Sequence, residues 1–438
     1  MRTRTKATLF GAVSLLAVAG ISCAFAVPAN ADPTFPNPTT ESQEVALVGV
    51  GSDTIQDLFT GLTQSVTDNS GSQVFASYDA TGTATITTRV LGQTFTRPNG
   101  SGPGLTALKS AVAGSTTPDG STNVVLHGSD VQFARSSSYN NTTLSSSGRY
   151  AQIPIAVDAV TYATSGSVTT QVPSGITEGS APAAAAGTIA SPDALTLDNI
   201  FNGDGYLSGV IGGTTYQFYS GTGASSTPAT WPKLDVFLPQ EGSGTRKFWY
   251  TALDLGYAET VLPPGVLDTY IPAGTSTPVT NEEHDGSAIQ SDPLGIEPFS
   301  IAQWSAQSHA ASILNVYGFN EVDRRHGVLL NSVGSVAPTV GGAPGIGTLN
   351  TAFPISRPVF VDVEVAQLKI NPLLEAVFVN DSNFAASSTI YNAMNPLDQT
   401  TSVITDFGFA KIPSGGFSTP VYGSVVFKQG DVQDYRFN

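Results

Sequence analysis

The stretch Gln240-Glu241-Gly242-Ser243-Gly244-Thr245-Arg246 sets two glycines, two hydroxyls and a guanidinium at the start of a helical pattern that runs from Lys247 to Leu255. Glycine lets backbone N–H groups approach a ligand, and a helix N-terminus offers unpaired N–H groups and the positive end of the helix dipole. Such a turn suits a small oxyanion. An ordinary N-cap looks much the same, so the reading depends on what accompanies it.

Three further segments share its character. Val45-Ala46-Leu47-Val48-Gly49-Val50 is a continuous apolar run of the kind that forms a buried parallel strand, and Gly51-Ser52-Asp53-Thr54 follows it directly. Ile55, Leu58, Phe59 and Leu62 then recur at helical spacing. Arg97-Pro98-Asn99-Gly100-Ser101-Gly102 precedes a helical pattern carrying Leu105, Leu108 and Val112. Val124-Val125-Leu126 and Val131-Gln132-Phe133-Ala134 lead into Arg135-Ser136-Ser137-Ser138, and the opening motif is itself entered from the strand Leu234 to Leu238. Repeated strand, loop and helix units imply an α/β architecture with ligand loops at the strand C-termini.

Two proline-bearing extended runs, Ile153 to Tyr162 and Phe353 to Val363, suit a two-stranded crossover between lobes. The expected organisation is a signal peptide at 1–31, a Pro/Thr/Ser-rich disordered spacer at 32–44, and a first lobe at 45–153. A second lobe follows at 154–352, then a return to the first lobe at 353–414 and an added tail at 415–438 with strand character from Val421 to Phe427. Arg2, Arg4 and Lys6, an apolar stretch and Ala29-Asn30-Ala31 make the leader a secretory signal cleaved after Ala31. A retained N-terminal anchor, or lipidation of Cys23, is the alternative and would tether the chain to the cell surface.

The formal charge is −16 over 438 residues, and loss of the leader removes three positive charges and no negative ones. That excludes nucleic acid as a partner. The single cysteine lies in the leader, so the mature fold has neither disulfides nor thiolate chemistry. An anion site here works against the global field and depends on short-range donors and local dipoles.

In order and content these landmarks resemble the phosphate-type substrate-binding proteins of ABC importers. Besides the four loops, they include Thr196 to Gly203, His284-Asp285-Gly286, Ile296-Glu297-Pro298-Phe299-Ser300, the Phe353-Pro354 return strand and Gly408-Phe409-Ala410-Lys411-Ile412-Pro413. The resemblance covers most of residues 45 to 413. It implies a two-lobed type II periplasmic-binding-protein-like fold with a two-stranded hinge, acting outside the cytoplasm as a monomer. It further implies inorganic phosphate or a related oxyanion as ligand and an ABC transporter permease as partner, with no cofactor, metal or catalytic residue. Carried over residue by residue, the ligand-binding set is Ser52, Asp53 and Thr54, then Ser101, then Ser243, Gly244 and Thr245.

Two departures bear on the ligand. The family's third loop commonly supplies a carboxylate for the proton that phosphate keeps and sulfate lacks, and Ser136 stands there; an arginine upstream of the Ser-Gly-Thr loop is replaced by Pro239. Arg135 and Arg246 are the guanidiniums available for a forked contact, and Asp53 the carboxylate within the four loops. Sulfate, molybdate and a phosphate ester stay open. Plainer readings stand beside these: Ser52 and Asp53 as N-caps, Arg135 in a surface salt bridge, Ser137 and Ser138 as loop, Arg357 as a hinge or surface charge, and Glu282-Glu283-His284-Asp285 as an exposed acidic turn.

A secreted hydrolase would need an activated nucleophile or paired acids. No Gly-x-Ser-x-Gly elbow occurs, and His127, His284, His309 and His326 lack metal-ligand spacing. A secreted adhesion or scavenging protein on the same fold is the other alternative.

Overall fold

A computed structural model describes residues 32–33 and 45–438 except 69, 91, 117–123, 141–143, 181–184, 223–230, 342–346 and 381–388. The expected leader, Cys23 and most of the expected spacer lie outside the described residues. Asp32, expected to open a disordered spacer, is instead gripped by Arg97, whose Nη1 and Nη2 donate to the two carboxylate oxygens at 2.7 and 2.6 Å.

The apolar run after Val45 forms the strand Leu47–Gly51, wholly buried between the parallel strands Phe75–Ser77 and Phe133–Ser136. A second parallel trio consists of Val266–Leu267, Asp235–Phe237 and Gly295–Ser300. Both trios belong to one ten-stranded sheet. Between them run two long strands, Tyr150–Thr164 and Ser356–Glu364, paired antiparallel from Ser356 opposite Ala159 to Glu364 opposite Tyr150. The first of these also pairs with Gly295–Ser300 and the second with Phe133–Ser136. A register shift between Val359 and Phe360 leaves Ile155 over on the longer strand, the kind of bulge that sharpens local twist. The result is an α/β protein of two lobes joined by a two-stranded hinge.

Each lobe has its own apolar packing. In the first, Phe59, Phe75, Phe133 and Phe378 pack together, with Phe133 and Phe378 centroids 4.9 Å apart. In the second, Trp249 is fully buried and stands edge-on to Phe201 at 5.3 Å. Each such ring contributes about 1.5–3 kcal/mol by leaving water. The segment 415–438 departs from the strand expected at Val421–Phe427. A 3-10 turn at Pro420–Tyr422 comes first, and the chain then returns to the hinge, where Arg436–Phe437 pairs with Tyr150 and Ala151. Phe427, Tyr435 and Phe437 are all buried, so this stretch helps to cover the hinge. No helix among the described residues is long and apolar enough to cross a membrane.

Asp362 lies buried on the hinge strand with Oδ1 unpartnered. Burial pushes its carboxyl up to about 7, against the opposing pull of Gln152 and the more distant Lys247 and Lys109. Because the folded-state value lies above the unfolded one, stability is lost as pH rises from about 4 through 7. Asp362→Asn is expected to flatten that slope, which thermal unfolding at several pH values would read.

Candidate functional site

The lobes meet where the parallel strands of each trio end, as open α/β sheets favour. Leu47–Gly51 delivers Ser52, Asp53 and Thr54 into a short 3-10 turn ahead of the helix Gln56–Ser65. Ser101 opens the helix Ser101–Ala113, and Ser243 caps the helix Gly244–Ala252 by accepting from the Arg246 amide at 2.9 Å. Every one of these side chains is buried.

The hydroxyls converge. Ser52 Oγ donates to Ser137 Oγ at 3.0 Å, Ser101 Oγ accepts from the Ser137 amide at 3.0 Å, and Thr54 Oγ1 lies 3.3 Å from Thr245 Oγ1 across the lobe boundary. A Cβ on Gly244 would stand 2.2 and 2.3 Å from the hydroxyl oxygens of Ser137 and Ser101, so the helix start presses directly on the serines. Ser52 makes no capping bond, contrary to the plain reading of that residue.

Four sequence expectations need correction. Ser136 turns its hydroxyl onto the Ser138 carbonyl, and Ser137, read as loop, takes the central place; alternation at a strand end puts neighbours on opposite faces. Arg135 donates to the Gly51 and Ser52 carbonyls and to Ser77 Oγ, tying adjacent strands together. Arg246 donates to the Pro239 carbonyl and to Asp268 at 3.1 and 3.0 Å, within its own lobe. Asp53 is held by Arg324 through both carboxylate oxygens at 3.2 and 3.0 Å, so it stands at the site as half of an ion pair rather than as a lone carboxylate.

Three residues that sequence reasoning set aside lie at the centre. Arg357, on the hinge strand, is fully buried: Nη2 donates to Thr245 Oγ1 at 2.9 Å and Nη1 to the Ser137 carbonyl at 3.0 Å. Nε and Nη2 both reach Asp158 Oδ2, at 3.1 and 2.9 Å. Glu283 and His284, read as part of an exposed turn, are buried as well. Glu283 Oε1 accepts from the Thr245 amide at 3.3 Å and Oε2 from Thr54 Oγ1 at 3.1 Å, so one carboxylate bridges donors of both lobes. Burial alone would raise the Glu283 carboxyl; the His284 ring, Ser243 and Arg357 outweigh it and hold it down at about 2.

His284 Nδ1 accepts from the Ser300 amide at 3.2 Å, which leaves the ring proton on Nε2, facing Thr54 Oγ1 at 3.1 Å and Glu283 at 3.4 Å. A ring in that tautomer cannot take a proton from Thr54, so the hydroxyl, imidazole and carboxylate in contact here do not form a nucleophilic triad. Asp53, Glu283 and His284 also bring one ligand atom each within 4.8 Å of the others. That set does not fit a cation: Asp53 is committed to Arg324, and Nε2 carries the proton a metal would have to replace.

No family model matches the chain, and no curated protein does. Solved structures similar to it include an ABC-type phosphate transport receptor from Vibrio cholerae, at 12% identity and a TM-score of 0.38, covering 84% of this chain and 100% of that one. PstS from Borrelia burgdorferi is similar at 12% identity and a TM-score of 0.35, over 84% of this chain and 99% of that one. A phosphate-binding protein from Stenotrophomonas maltophilia is similar at 13% identity and a TM-score of 0.34, over 84% and 91%.

Proposed function

We propose that this chain binds a tetrahedral oxyanion, inorganic phosphate foremost, between its lobes outside the cytoplasm and passes it to an ABC import permease. One observation carries the reading: Thr54 of the first lobe and the Thr245 amide of the second aim at the two oxygens of a single carboxylate. Donors so placed are complementary to an oxyanion, and the Thr245 amide lies at the start of a nine-residue helix with a guanidinium 2.9 Å from the Thr245 hydroxyl. Phosphate is preferred on the sequence resemblance. The ligand-binding set is Ser52, Thr54, Ser101, Ser137, Ser243, Gly244, Thr245 and Arg357.

Hydrogen bonds to a charged group contribute about 1.5–3 kcal/mol each, so a few of them support micromolar binding after association costs. The reaction is capture and release, with no covalent step. Calorimetric titration of the chain without its leader, using phosphate, sulfate and molybdate, tests this. Thr245→Ala removes one hydroxyl and keeps the amide, and is expected to weaken phosphate binding by about tenfold to a hundredfold. Heat from none of the three anions, or an unchanged affinity in the variant, would reject the reading.

A further inference from the structure

Resting on the oxyanion reading above, we infer that Glu283 is a resident anion: its carboxylate occupies the ligand position of the closed cleft, and an incoming oxyanion replaces it. The argument is one of shared donors. The Thr245 amide and the Thr54 hydroxyl are the groups through which the two lobes grip a common partner, and both are taken by Glu283. The carboxylate is fully buried and backed by the Nε2 side of His284. A ligand that used the same amide and hydroxyl would set its own oxygens against those of Glu283. Two anions cannot share two donors, so one leaves.

The segment around Glu283 is built as a strap between lobes. On one side the Gln240 amide donates to the Asn281 carbonyl at 3.0 Å and the Asn281 amide to the Asp268 carbonyl at 2.8 Å. On the other, Arg324, which grips Asp53 of the first lobe, donates to the Glu283 carbonyl at 3.3 Å, and its own carbonyl accepts from the Gly286 amide at 2.8 Å. Gln307 donates to the His284 carbonyl at 3.1 Å. His284 itself has φ of 58°, a left-handed conformation that a β-carbon disfavours. Strain of this sort next to Glu283 marks the place where the strap can turn to carry the carboxylate out.

Two consequences follow. Apparent affinity is lowered by the fraction of molecules in which Glu283 holds the donors, and a more highly charged ligand displaces it more readily than a monoanion. Glu283→Ala removes the competitor and leaves space for its carboxylate. The variant is expected to bind phosphate about tenfold tighter or more, by calorimetry on the chain without its leader. Its melting temperature is expected to rise in excess sodium acetate, which supplies the missing carboxylate, while the wild type does not respond. Should the alanine variant fail to fold, Glu283→Gln keeps the shape, loses the charge and is expected to show the same gain for phosphate. Unchanged or weaker phosphate binding in the folded variant would overturn the inference, by making Glu283 a contact of the bound ligand or a structural group. Absence of an acetate response in Glu283→Ala would also overturn it. An acetate response confined to that variant, with no phosphate binding by either protein, keeps the resident anion and rejects phosphate as the ligand.

Discussion

Replacing Arg357 by methionine is expected to cost about 3–5 kcal/mol of stability and to remove measurable oxyanion binding, because one guanidinium serves both ends. Its stem and head are buried in the hinge, and its charge is neutralised by Asp158, itself fully buried. Its guanidinium carbon lies 5.2 Å from the centre of the Phe248 ring, and the side chain has no exposure to water. Methionine fills the volume but strands Asp158 Oδ2, while Oδ1 keeps the Ser300 hydroxyl at 2.9 Å and the Ala302 amide at 3.2 Å. The loss of binding has a separate origin, since the Nη2 donor to Thr245 disappears and the site keeps Glu283 with less positive charge to balance it. Combining Arg357→Met with Asp158→Asn separates the two effects: it should restore much of the stability and none of the binding. Denaturant unfolding and calorimetry on the single and double variants would check this, and wild-type phosphate affinity in either would refute the role given to Arg357.

Ser52, Thr54, Ser101, Ser243 and Thr245 could be named as candidates because each lies just past a strand end or in the first turn of a helix, where local rules place hydroxyls and free amides. The hinge was legible in the same way, as two extended proline-bearing runs. Arg357 reaches its place through sheet register, directly opposite Asp158 and 199 positions away from it, and no local pattern encodes that pairing. Glu283 and His284 are similar: four titratable residues in a row look solvated until the strap carries them between the lobes. Arg135 and Arg246 show the converse, since each adjoins a ligand loop in sequence yet turns its head onto backbone carbonyls that the loop geometry leaves open. The slip from Ser136 to Ser137 is the smallest of these errors and follows from a strand period of two.

Gly100→Ala is expected to leave a folded protein that cannot bring its lobes together, with phosphate affinity reduced about a hundredfold or more. Gly100 precedes the helix Ser101–Ala113 with φ of 109°, a conformation that L side chains rarely adopt, and this alone costs about 1–3 kcal/mol within the first lobe. The larger effect lies across the boundary. A Cβ at Gly100 would stand 2.6 Å from the Gly242 carbonyl oxygen and 3.0 Å from its carbon, both backbone atoms of the opposite lobe that no rotamer change can move. Closure there is also marked by the Gly102 amide donating to the same carbonyl at 3.2 Å and by Asn99, which pairs with Glu282 and Gln240. If the closed form falls to about one molecule in a hundred, apparent affinity falls in proportion, because Thr54 and Thr245 then no longer reach one ligand. Small-angle scattering with and without phosphate would show the variant staying extended in both. Gly102→Ala is the matched control: its Cβ would meet Gly242 at 3.6 Å, an ordinary contact, on a helical residue where alanine is the better helix former. Equal loss of affinity in the two variants would point to damage to the first-lobe helix rather than to blocked closure, and would count against a site assembled from both lobes.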